Sequence, residues 1–268
     1  MHPRVSLHEV AFLAEGTRAF AEHAASLGVR KLTLATGPLL SLGVPAIAQI
    51  LADTGTCATA LNHVFAVHPD LPRDHGEAAQ HLTAAIDAAA HLGADRIYLI
   101  SGGRGSLSWE AAATRFAELI APCVEHGRQR GVTLLVENAS ALNVDIHLAH
   151  TLTDAIRLAE IAGIGVCIEL HACWMEGALE ANLACAMPLT GFVQVSDYVL
   201  GDRVSPCRAV PGDGAIPLER LLGTILDLGY QGLFDLELVG PRIAAEGPQD
   251  ATARAAHYLS DLLTRLGA

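Results

Sequence analysis

The chain has few basic residues. Lys and Arg total 17 against 29 Asp and Glu in 268 residues, a formal net charge of −12. Nucleic-acid binders concentrate cationic side chains against the phosphate backbone, so this balance excludes an extended nucleic-acid partner. Cysteine occurs six times (Cys57, Cys123, Cys167, Cys173, Cys185 and Cys207) without one CxxC pair. A zinc knuckle is thereby excluded, and reduced thiols fit the chain better than a disulfide framework. The opening "MHPRVSLHEV" lacks the basic start and apolar run of a signal peptide, and no apolar stretch is long enough to span a bilayer. The expectation is a soluble, cytoplasmic protein with no membrane partner. Charged residues make up only 17% of the chain and hydrophobic ones 51%, which excludes disorder. A surface so poor in charge leaves a homo-oligomer open.

Short apolar runs alternate with amphipathic stretches from end to end. Strands are predicted over 4–9, 31–36, 57–65, 95–101, 133–138, 165–171, 191–197 and 233–239. Helices with apolar residues at three- and four-residue spacing are predicted over 75–94, 110–130, 153–162 and 218–229. Gly28, Gly93, Gly131, Gly163 and Gly229 stand where helices should end, the position that favours a left-handed backbone. Eight β and eight α runs in strict alternation match a (β/α)8 TIM barrel, which typically takes about 250 residues. The other candidate, a doubly wound sheet, usually carries a glycine-rich dinucleotide turn after its first strand, and "LHEVAFLAEG" has none. No linker or composition shift divides the chain, so residues 1–268 read as one domain.

In such barrels chemistry sits at the C-terminal ends of the strands. There the sequence places Glu137–Asn138 on strand five, and Glu169 with His171 on strand six. Strand seven offers Gln194 and Asp197, and strand eight Asp235 and Glu237. Each carboxylate taken singly is equally well explained as a helix cap or an arginine partner. As a set, Glu137, Glu169, Gln194 and Glu237 fall on four consecutive strands that can aim at one point. Three converging carboxylates repel unless protonated or neutralised by a cation. An all-oxygen donor set, counting the Gln194 amide, favours a hard divalent ion, Mg²⁺ or Mn²⁺.

The segments "LLVEN", "IELHACW", "VQVSD", "RAVPGDG" and "FDLELVGP", spread in order over about residues 132–242, resemble the sugar-phosphate isomerase/epimerase group of xylose-isomerase-like TIM barrels, which includes proteins of the AP-endonuclease family 2 type. The resemblance implies a divalent ion, often Mn²⁺, held by Glu137, Glu169, Gln194 and Glu237. It also implies that Glu137 and Glu237 act as acid and base, and that Arg208 contacts substrate oxygens. Two departures stand out. Gln194 replaces the family's usual His, and Glu169 replaces its more usual Asp with a longer arm. The family's His three residues after that acid is Ala172 here, with His171 one place early. His171, Asp197 and Trp174 complete the candidate substrate contacts, and the apolar "HACWMEG" region points to a substrate less polar than a simple sugar. His8, Glu9, Asn62, His63 and Arg104 can line the mouth but read equally as caps or satisfied strand-end groups, and His147 with His150 can form part of a lid.

A metal at such a site would polarise a carbonyl beside a hydroxyl and acidify the proton on the intervening carbon. The expected activity is a metal-dependent isomerase or epimerase of a keto-sugar, polyol ketone or related hydroxy-ketone. Its rivals are a lyase or dehydratase acting on a cyclic keto-polyol and a degenerate barrel that binds without catalysis. A phosphodiesterase of the AP-endonuclease kind would need more His and Asp ligands and a basic face.

Overall fold

The strands form where β-branched and aliphatic residues run together between turn residues. In the computed structural model, which describes residues 1–67 and 71–268, they are β1 (Val5–His8), β2 (Lys31–Ala35), β3 (Cys57–Val64), β4 (Arg96–Ile100), β5 (Thr133–Glu137), β6 (Gly165–Glu169), β7 (Thr190–Val195) and β8 (Phe234–Leu236). They close in chain order into a parallel barrel, with β8 returning to pair with β1. The helices α1 (Thr17–Ser26), α2 (Thr36–Leu42), α3 (Val44–Thr54), α4 (Glu77–Leu92) and α5 (Trp109–Arg130) follow the first four strands. After them come α6 (Leu152–Ala162), α7 (Leu170–Cys173), α8 (Leu179–Ala186), α9 (Leu218–Asp227), α10 (Pro241–Glu246) and α11 (Pro248–Arg265). This is the single (β/α)8 barrel that the alternation predicts. None of the described helices is long and apolar enough to cross a membrane.

Strand periodicity divides each strand between two environments. Outward residues such as Leu7, Leu32, Leu34, Ile97 and Leu99 are buried under the helices. The helices meet them with apolar stripes, as in α9, which buries Leu218, Leu221, Leu222 and Ile225. Each such side chain contributes about 1.5–3 kcal/mol when taken out of water. The inward residues Ala60, Tyr98, Leu135, Cys167 and Phe192 form a separate cluster that fills the barrel, with Tyr98 stacked on Phe192 at 6.2 Å. Leu135, Cys167 and Phe192 each lie two residues before Glu137, Glu169 and Gln194. Those three polar residues therefore share the inward face, one layer nearer the mouth.

All eight strands are shorter than predicted, and at the sixth and eighth the difference moves candidate site residues off the strand. The sixth ends at Glu169 rather than 171, because the Glu169 carboxylate accepts the backbone N–H of His171 at 2.8 Å and starts α7. His171 thus lies on a short helix instead of alternating with Glu169 along a strand. The eighth ends at Leu236, so Glu237 stands just beyond the ladder.

Candidate active site

Asn138 continues the β5–β6 pairing beyond the strands. Its Nδ2 donates to the Glu169 carbonyl at 3.0 Å, and its Oδ1 accepts the Glu169 N–H at 2.9 Å. A side-chain amide thereby stands in for a backbone rung and fixes the end of β6. The result is convergence: ligand oxygens of Glu137, Glu169 and Glu237 all lie within 4.8 Å of one another. All three residues are buried.

Arg208 enters this group from the loop after β7. One Nη2 donates to Glu169 Oε2 at 2.8 Å and to Glu237 Oε2 at 2.6 Å. Its backbone N–H donates to the Val239 carbonyl at 3.0 Å, tying the loop to the one after β8. Asp197, expected among the substrate contacts, has a different job. Its Oδ1 accepts the N–H groups of Tyr198 (2.8 Å) and Ile216 (3.0 Å), and its Oδ2 those of Gly212 (2.9 Å) and Gly214 (3.0 Å). Both oxygens are spent on holding the Arg208 loop, which leaves none for substrate. Gly214 is required there, since an added Cβ would fall 2.3 Å from Asp197 Oδ1.

Burial raises Glu137 well above the usual carboxylate range, and the charges of Glu237 and Glu169 add to the rise. Glu169 is pushed up to about 8 by burial, against the pull of Arg208. Burial pushes Glu237 the same way, but the Arg208 guanidinium outweighs it and brings Glu237 down to about 2. Burial opposes the charge on Arg208, yet Glu169 and Glu237 hold it protonated. One guanidinium cannot neutralise three carboxylates. With all three ionised the group carries a net charge of −2, the deficit that one dication makes good. The donors are hard oxygens, the kind that bind hard divalent cations.

Gln194 is level with Glu169 and Asp235 in the sheet and fully buried. Its Oε1 accepts the Cys167 thiol at 3.2 Å, and its Nε2 has no hydrogen-bond partner. So poorly satisfied an amide is rare inside a protein and suits a further polar group above it. Asp235, one layer deeper than Glu237, accepts the Thr33 hydroxyl at 2.9 Å. The residues present therefore fit a divalent ion.

The sequence offers His8 only as a residue that can line the mouth, and it assigns Tyr98 no role. His8 Nδ1 accepts the Val10 N–H at 2.8 Å, which leaves the proton on Nε2. That nitrogen meets the Tyr98 hydroxyl and lies 3.9 Å from Glu237 Oε1. Burial lowers His8 to about 4, so it is neutral near pH 7. Tyr98 carries the same signal that exposes Gln194, a polar group on an inward position of an aliphatic strand. The β5–α6 loop is stitched over the end of β4 by Gly102 N–H to Ile146 O (2.8 Å) and Leu148 N–H to Ser101 Oγ (2.9 Å). Between these ties His147 is buried, within electrostatic reach of Glu237 and Arg208. Glu9 bonds Thr17 and the Ala35 N–H, and His63 bonds the Thr36 hydroxyl at 2.9 Å, both as structural ties. Trp174 packs beside Tyr198 at 6.1 Å, and His171 meets the same ring edge-on at 5.6 Å.

The family model described as xylose isomerase-like TIM barrel matches residues 13–262. A Streptomyces coelicolor protein provisionally named hydroxypyruvate isomerase is 29% identical over 212 residues, 72% of each chain. Among solved structures, the IolI protein with a bound zinc atom superposes with a TM-score of 0.83 at 16% identity, covering 98% of this chain and 99% of its own. D-psicose 3-epimerase of Clostridium cellulolyticum H10, with D-tagatose, gives a TM-score of 0.76 at 15% identity, covering 96% and 98%.

Proposed function

The chain belongs to the xylose isomerase-like TIM barrel family, and from that premise we propose that it is a divalent-metal-dependent isomerase or epimerase of a small hydroxy-ketone. One observation carries the reading: three buried carboxylates from the ends of β5, β6 and β8 converge within 4.8 Å of one another, and the one guanidinium among them leaves two negative charges unmatched when all three are ionised. The relative named for hydroxypyruvate isomerisation and the epimerase neighbour support the same class of chemistry.

Glu137, Glu169 and Glu237 would hold the ion, with the Gln194 amide beside them. When bound, it would supply Lewis acidity to a carbonyl and its neighbouring hydroxyl, lowering the pKa of the carbon-bound proton between them. The remaining work falls to the chain. Glu137 and Glu237 take and return that proton, one from each side of the carbon. Arg208 offers the substrate oxygens a fork of donors, and its charge favours the enediolate over the neutral ketone. His8, neutral and with its Nε2 proton turned to the Tyr98 hydroxyl, stands 3.9 Å from Glu237 without adding a charge there. The buried floor of Tyr98, Phe192 and Leu135 excludes water from below.

The test combines metal analysis with solvent-deuterium exchange. About one divalent ion per chain is expected, lost in Glu137→Gln, together with metal-dependent deuterium incorporation into hydroxypyruvate or a keto-sugar. Tight ligand binding with neither metal nor exchange would instead establish a binding barrel. Loss of water from a cyclic keto-polyol after the same proton abstraction would establish the lyase.

A further inference from the structure

Beside the carboxylates lies a cavity of ≈270 Å³, lined by the loops after β5, β6 and β7. Its walls include Leu142, Trp174, Tyr198 and Val204. Two of its lining residues adjoin the candidate active site: the His171 N–H is bonded to Glu169, and Cys207 directly precedes Arg208. The Cys207 thiol faces His171 Nε2 at 3.8 Å. Of the charged groups in its lining, Arg203 is exposed to solvent, and Asp202 is spent on Arg242 through two hydrogen bonds of 2.8 and 2.9 Å. The Tyr198 hydroxyl is spent on the Asp202 carbonyl at 2.6 Å.

Large apolar side chains are left open to water here: Leu142 is 63% exposed, Met175 72% and Val204 52%. Together with the aromatic wall they form a largely apolar recess whose inner residues, His171 and Cys207, stand next to Glu169 and Arg208. A cavity of about 150 Å³ is known to take a benzene ring. This one has room for a phenyl group and the short chain that joins it to the reacting carbons. A three-carbon hydroxy-ketone or a free sugar would leave it unfilled.

We infer that this cavity is a substrate subsite for an apolar substituent of about phenyl size, carried by the hydroxy-ketone whose reacting carbons lie among the carboxylates. The inference rests on the hydroxy-ketone reading above and adds the substrate's class: an aryl- or branched-alkyl hydroxy-ketone, not a bare sugar. The reaction needs no further reactant. A C–H bond next to the carbonyl breaks, its proton passes to a carboxylate, and a solvent deuteron forms the new C–D bond.

The experiment compares exchange at C1 of two probes in D2O with the metal-loaded protein: hydroxyacetone and 1-hydroxy-4-phenylbutan-2-one. For the phenyl probe kcat/KM is expected to be about tenfold or more higher. Filling the cavity from either wall, in Ala172→Leu or Val204→Trp, should bring the ratio of the two probes toward one. Val204 is surface-exposed, so its variant folds whatever the outcome at Ala172. Exchange of both probes at a ratio near one in every protein overturns the subsite and leaves the hydroxy-ketone reading standing. If neither probe exchanges, saturable binding of the phenyl probe that both filling variants weaken sustains the subsite while the chemistry falls, and absence of binding overturns the subsite. Altered self-association of Val204→Trp at an unchanged probe ratio also overturns it, identifying the patch as a contact between copies.

Discussion

Between pH 6.5 and 8 the metal-free protein should lose stability as pH rises. The buried histidines set the lower limit. His8, His63 and His147 are lowered to about 4 and His171 to about 3, each chiefly by burial, from an ordinary value of 6.5. A depressed histidine adds stability as pH climbs from its folded to its unfolded value, so that gain is complete near 6.5. The carboxylates work in the opposite sense. Glu169 titrates at about 8 and Glu137 is also raised, so the folded state keeps protons that the unfolded chain has already released near pH 4.5. Stability is then full below the unfolded value and lost until pH passes the folded one. Asp235, raised to about 7 by burial, acts in the same direction. Each group contributes up to about 1.4 kcal/mol per pH unit, so Glu169 and Glu137 over this window give up to about 4 kcal/mol. Because they share Arg208 with Glu237, about 2–4 kcal/mol is the expected loss. For a domain of this size that lowers the melting midpoint by roughly 4–16 °C. The assay is thermal unfolding by circular dichroism at fixed ionic strength, in EDTA and again with saturating Mn²⁺. In Mn²⁺ the trend should reverse, since the ion binds ionised carboxylates and displaces their protons. A midpoint that stays level or rises from pH 6.5 to 8 in EDTA would refute the argument.

Arg208→Met should lower exchange by about 10²–10³-fold, the usual cost of losing a donor to developing negative charge, and should steepen the pH dependence of stability in EDTA. Steady-state exchange and the same melts read both. Asp197→Ala strands four backbone N–H groups and should cost about 2–4 kcal/mol, measured by urea unfolding, with protease cleavage appearing first between residues 206 and 216. Asn138→Ala removes both ties to the Glu169 backbone and should weaken Mn²⁺ binding about tenfold at a stability cost of about 1–3 kcal/mol, read by metal titration and by unfolding.

Much of this was legible in the sequence because two periodicities expose it. Apolar runs against amphipathic stretches gave the barrel, and polar residues inside otherwise aliphatic strands gave Glu137, Glu169, Gln194 and Glu237. What stayed hidden depends on contacts distant in sequence. Arg208 was legible as a substrate group, but its place between Glu169 and Glu237 depends on where two loops meet. Asp197 reads from sequence either as a substrate contact or as a group that holds a neighbour, and its backbone N–H partners, which leave no side-chain signature, decide for the second. The true end of β6 lay hidden in the reach of one side chain, as Glu169 caps the turn that follows it. His8 and Tyr98 face each other across the barrel from strands ninety residues apart in sequence.

The clasp that Asp197 makes on the loop after β7 grips only main-chain N–H groups, at Tyr198, Gly212, Gly214 and Ile216. Such a grip is blind to the identity of most side chains it passes. Natural drift or a directed library can therefore rewrite much of that segment, Asp197, Gly212 and Gly214 excepted, and retune which molecule is admitted without dislodging the arginine.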